Sequence, residues 1–333
     1  MIIRATSGWI NPLFYALKPI IPRQVQISLR RRLAQRKRSQ HGSEWLIVEK
    51  AGEKPKGWNG WPDKKQFAFV LRHDVETQIG HDRSLQLRDL EERFGMRSSF
   101  NFVPERYQVS ASVRGELASS GFEVGVHGLN HDGKLYQSAE TFTERAHKIN
   151  QYLSSWESVG FASPASHHVL EWNHILDISY DTSTFDTAPF EPQSDGVDTI
   201  FPFWVDANDG SGSGYTELPY TLTQDFYAFI ILQEETPDIW KHKLDWIAQK
   251  GGMALLITHP DYMWFGDGKP SFQEYPVKLY EEFLAYVQDK YADQYWHALP
   301  KEVAAYCQQQ SQPTAAQPKQ GNNNLTLSAP VPA

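Results

Sequence analysis

The sequence predicts an α/β domain in which about seven strand–helix units form an incomplete barrel. Three observations point there. Short apolar runs alternate with segments of helical 3–4 spacing, the order that parallel βα units produce. The alternation occupies residues 44–308, a length that suits one large domain. His73, Asp74, His127, His131 and His259 each fall at or just past the C-terminal end of an expected strand. Barrel enzymes gather their chemistry on that side.

The expected strands are 67–71, 98–102, 122–126, 161–162, 180–183, 227–232 and 253–257, all rich in β-branched, aromatic or aliphatic residues. Between them lie helical patterns such as "DRSLQLRDLEERFG" and "EETPDIWKHKLDWIAQKGG", which end in Gly as helix C-termini often do. "ELPYTLTQDF" (217–226) reads as a loop on the substrate side, with Asp225 a candidate substrate-binding residue. Residues 309–333, rich in Gln, Asn, Pro and Ala, are expected to be a disordered tail.

Residues 1–43 form a basic leader with nine Lys or Arg and no acidic residue, so the rest carries 23 basic against 40 acidic side chains, or −17. An acidic body excludes a nucleic-acid groove. The leader's "RQVQISLRRRLAQRKR" (23–38) suggests a short basic helix able to lie on an anionic membrane surface. No run reaches the ~18–20 apolar residues of a membrane span. The leader's apolar segment is broken by Pro12, Lys18, Pro19 and Pro22, unlike a signal peptide. With Cys307 the single cysteine, the expected location is cytoplasmic, with peripheral contact at the inner face of the membrane.

His127 and His131 lie four residues apart in "EVGVHGLNHDG", and Asp74 ends an earlier strand in "FAFVLRHDVE". Two imidazoles and a carboxylate make a three-ligand site with an open position, the arrangement of catalytic zinc; Co, Mn, Ni or Fe would also suit. Residues 65–300 resemble the polysaccharide deacetylases of the NodB-homology type, carbohydrate esterase family four, and the resemblance implies their distorted, incomplete (β/α)7 barrel. The resemblance matches the second Asp of the family's Asp-Asp pair to Asp74, and its metal histidines to His127 and His131, with Gly128 in the usual Ser/Thr place. "FASPA" (161–165) matches the third motif and "LLITHPD" (255–261) the last.

Two positions depart from the family's pattern. His73 stands where its first Asp, the general base, would be, and Ala162 where the Arg orienting that base would be. The resemblance implies hydrolysis of an N- or O-acetylated glycan by a water activated at the metal; membrane contact through the leader would suit a lipid-linked glycan. It also implies that His259 is the general acid; Asp181 and Asp186 in "YDTSTFD" are the candidate carboxylate partners of that ring. His73 and Glu76 are the two candidates for the base. The alternatives are a non-catalytic carbohydrate-binding pseudoenzyme on the same barrel, and a hydrolase of a non-glycan linear amide.

Overall fold

The structure, a computed structural model, describes residues 22–41, 46–187, 195–207 and 210–311. The expected tail from 312 onward and the first part of the leader lie outside the described residues.

The sheet is a curled, mostly parallel half-barrel with helices packed outside it. It begins at β1 (Phe67–Val75), buried along its whole length because strands flank both edges. The chain then runs α1 (Gln78–Arg93), β2 (Ser99–Phe102), α2 (Ala111–Ser119), β3 (Glu123–His127), α3 (Ala139–Ser155), β4 (Gly160–Ala162) and β5 (Tyr180–Asp181). Thr77, Ser110 and Ser138 cap the three helices by accepting from backbone N–H groups of the first turn. β6 (Phe203–Asp206) and β7 (Gly214–Glu217) form the one antiparallel pair among the described strands of this sheet. After α4 (Asp238–Lys250), β8 (Met253–Thr258) returns beside β1, pairing Ala68–His73 with Met253–Thr258.

The opposite edge of β1 is shared. β9 (Tyr295–His297) pairs with its start and β2 with its end. Closure between β7 and β8 is irregular: Thr221 and Leu222 donate to the Leu255 carbonyl, and Tyr220 N donates to Thr184 O. Irregular backbone bonds, rather than a further strand, thus link the two ends of the curled sheet.

The residues 227–232, expected as a strand, form a π-helical turn, Phe226–Ile231. All six of its side chains are buried, and a fully buried apolar run carries no periodicity to tell strand from helix. The β6–β7 hairpin has no counterpart in the expected strands. The basic helix of the leader is present as α5 (Arg23–His41) and is packed on the barrel. Ile27 and Ala34 enter the main core. Arg30 donates to the Tyr227 hydroxyl at 2.6 Å and Arg31 to the Ile230 carbonyl at 2.8 Å.

Strand parity decides the fate of His73. Arg72 and Asp74 face the barrel interior, so His73 between them faces the helical layer. Its ring is fully buried, with Nδ1 2.7 Å from Thr258 Oγ1 and Nε2 2.8 Å from Glu91 Oε1 on α1. Glu91 also accepts from Ser98 and, at 2.5 Å, from Tyr280 on α6 (Lys278–Tyr291). Burial opposes the Glu91 charge, but His73 outweighs it and holds the carboxyl below its usual range. The expected role of His73 as a base is therefore corrected: it ties β1 to α1 and α6. His73→Ala strips a buried carboxylate of its partner and is expected to cost roughly 3–5 kcal/mol of stability. Chemical denaturation checks this, and an unchanged midpoint would contradict it.

Candidate metal and hydrolytic site

The same parity places Arg72, Asp74 and Glu76 on the interior side of β1 and the turn that follows it. Arg72 grips Asp74 in a fork: Nε donates to Oδ1 at 2.9 Å and Nη2 pairs with Oδ2. Arg72 Nη1 is anchored on Thr182, donating to its carbonyl at 2.5 Å and its hydroxyl at 2.7 Å. Burial opposes the Asp74 charge, yet Arg72, with a smaller share from His127, brings its pKa down to about 2.

Glu76, His127 and His131 form the cluster whose ligand atoms all lie within 4.8 Å of one another. Asp74 is not part of it; its Oδ1 stands 3.7 Å from His127 Nδ1. This corrects the expected ligand set: the carboxylate facing both imidazoles is Glu76, because Arg72 occupies Asp74. Glu76 Oε1 lies 2.9 Å from His131 Nε2, without the alignment of a hydrogen bond, and Oε2 accepts from Tyr262 at 2.9 Å. The Glu76 backbone N–H donates to Asp261 Oδ2 at 2.9 Å, which pins the turn carrying it.

His127 Nδ1 is 3.1 Å from the Ala162 carbonyl, which can only accept. The proton therefore sits on Nδ1, and Nε2 offers a bare lone pair. Burial drives its imidazole down to about 3, so the ring is neutral, as a metal ligand must be. His131 follows on a loop that turns back sharply. Its φ is +55°, and Gly128 at φ +60° leaves the space where a Cβ would strike Pro164 at 2.6 Å. The two rings end 5.2 Å apart. Two buried Nε2 atoms facing one carboxylate fit a single divalent ion.

His259 stands just past β8. Its Nδ1 donates to Asp225 Oδ1 at 2.7 Å and its backbone N–H to Oδ2 at 2.8 Å. Tyr275 adds a third bond to Asp225, at 3.0 Å. Asp225 is fully buried, so its expected contact with substrate is replaced by a positioning role. It also displaces the expected partners of His259. Asp181 bonds Asn173 and Ser183, and Asp186 is paired with Lys243. His259 Nε2 points back toward Glu76 Oε1, 3.9 Å away. Burial depresses the His259 imidazole, but Asp225, followed by Glu76 and Asp74, outweighs it and raises the pKa to about 10.

Sequence reasoning missed Arg72, Tyr262 and Asp261. The alternating Arg-x-Asp-x-Glu along "RHDVE" was the available signal, since period-two spacing puts those three on one face.

The fold is that of the polysaccharide deacetylases, and it is shared with an allantoinase. A protein described as a polysaccharide deacetylase from Mycobacterium smegmatis superposes with a TM-score of 0.57 at 18% identity, over 80% of this chain and 99% of its own. Another so described, from Pseudomonas aeruginosa PAO1, gives 0.57 at 16%, over 77% and 95%. The PuuE allantoinase gives 0.56 at 15%, over 78% and 96%. No protein-family model matches the sequence, nor does any curated protein.

His127→Ala and Glu76→Ala are each expected to reduce bound zinc well below one equivalent, while His73→Ala keeps it. Metal analysis of the purified variants checks this; full zinc in Glu76→Ala would contradict it.

Proposed function

We propose that the protein is a metal-dependent hydrolase that removes acetyl groups from an N- or O-acetylated glycan. The observation that carries this reading is a forked Arg72–Asp74 carboxylate and a His259–Asp225 dyad that both adjoin the Glu76, His127, His131 cluster. When bound there, a divalent ion, zinc on the chemistry of two imidazoles and a carboxylate, supplies Lewis acidity toward the acyl oxygen and lowers the pKa of water.

The chain's own groups manage the protons. Asp74 accepts the proton of the attacking water, and Arg72 keeps that carboxylate ionised and aimed. A carboxylate held near 2 is a weak base, so its value lies in staying unprotonated and fixed in place. His259 enters as imidazolium and gives its Nε2 proton to the departing amine or alkoxide. The products are acetate and the free amino or hydroxyl sugar. Asp225 keeps the ring charged and turned, and Tyr262 holds Glu76. The base and its orienting cation, which seemed lost with His73 and Ala162, are thus both supplied from β1. This favours an active enzyme over a binding pseudoenzyme.

The similarity to an allantoinase favours, as a second reading, a non-glycan amide as substrate. The single Cys307, whose thiol burial raises to about 12, suits a cytoplasmic setting. Among the described residues no helix is long and apolar enough to cross a membrane.

Acetate release from a panel of N- and O-acetylated oligosaccharides, with allantoin alongside, tests the reading. Release from a glycan supports it; turnover of allantoin alone would move it to the second reading. Asp74→Asn is expected to lower kcat by roughly 10²–10⁴ with metal retained.

The pH profile follows from the signs. Activity needs Asp74 ionised, so the acid limb lies well below pH 5. It also needs His259 protonated, so the rate falls as pH rises through the His259 pKa. Asp225→Asn removes the charge that raises that pKa while burial remains, so the alkaline limb moves to lower pH. An unmoved limb would exclude His259 as the acid.

A further inference from the structure

Helix α5 turns two chemically different faces in two directions. Its inner face is fixed: Ile27 and Ala34 are buried, Arg30 and Arg31 bond Tyr227 and Ile230, and Arg38 pairs with Glu234. Those anchors hold the other face outward. There Val25, Leu29 and Leu33 stand 46%, 54% and 56% exposed at four-residue spacing, the largest exposures among the described large apolar side chains apart from Ile79. Arg32 and Arg36 are exposed on the same stripe, at i+3 and i+7 from Leu29.

We propose that this face of α5 is a docking surface for an anionic lipid bilayer. Three features select that occupant. The stripe interleaves aliphatic side chains with cations, the composition of helices that lie in the headgroup region. Residues 22–41 contain no Asp or Glu, although the rest of the chain is strongly acidic, so the positive charge is concentrated on this element. The helix also begins beside the candidate site: Arg23 stands 5.6 Å over the Phe226 ring, Phe226 packs on Tyr262 at 5.0 Å, and Tyr262 bonds Glu76. A bilayer seated on α5 would bring headgroup-level substrates to the mouth of that site.

The test uses the full chain and extruded vesicles of phosphatidylcholine, alone or with on the order of 30 mol % phosphatidylglycerol. Co-sedimentation should occur with the anionic vesicles only. It should weaken as salt shortens the Debye length below ~10 Å. Leu29→Ser with Leu33→Ser should reduce binding about tenfold or more, and Arg32→Glu with Arg36→Glu should abolish it. Both pairs are exposed, so thermal melting should match the wild type and exclude unfolding as the cause. Equal binding to neutral vesicles, or undiminished binding by either pair, would overturn the proposal. So would a concentration-dependent dimer, seen by sedimentation, that needs Leu29 and Leu33, since the stripe would then belong to a second copy. None of these readouts depends on hydrolytic activity.

Discussion

The fork of Arg72 on Asp74 is the interaction on which the rest of the site depends. Both residues sit on one strand, two apart, so the pleat points them the same way and the pair forms without help from a distant loop. The interior of a barrel is an expensive place for either charge alone, and the pair forms there because the fork satisfies both carboxylate oxygens. Thr182 takes the remaining guanidinium edge. A carboxylate committed in this way cannot also face two imidazoles. The next interior position along the chain, Glu76, takes that place instead.

The remaining charges are arranged around this division. His127 is kept neutral by burial and given its tautomer by the Ala162 carbonyl. His259 is kept charged by Asp225, a carboxylate with no exposure to water. One histidine is thus suited to donate an electron pair and the other to donate a proton, although both are buried within the same barrel mouth. The difference lies in what each Nδ1 touches, a carbonyl in one case and a carboxylate in the other.

Much of this was legible in the sequence. The strand candidates around His73, His127 and His259 were found because apolar runs ending in polar clusters are local signals. The gathering of those ends at one mouth followed from the topology of βα units. The misreading at "RHDVE" came from matching His73 and Asp74 to an adjacent Asp-Asp pair in one site, when adjacency on a strand sends two side chains to opposite faces. Parity assigns His73 to Glu91 and leaves Asp74 for Arg72. Asp225 could not be tied to His259 from sequence, since 34 residues and a π-helical turn separate them. That turn itself was misread because a run of buried aromatic and aliphatic side chains fits a strand equally well. The packing of α5 rests on Ile27 and Ala34, two apolar positions among many arginines, too few to announce a core contact.

On the proposed reading Glu76, and not Asp74, completes the metal cluster, while Asp74 stays with Arg72. An anomalous-difference map from a zinc-loaded crystal tests it most directly. The expected result is one peak at about 2.0–2.2 Å from Nε2 of His127, Nε2 of His131 and a carboxylate oxygen of Glu76, with the Arg72–Asp74 fork intact. A peak coordinated by Asp74, with Arg72 released and Glu76 outside the coordination sphere, would contradict it.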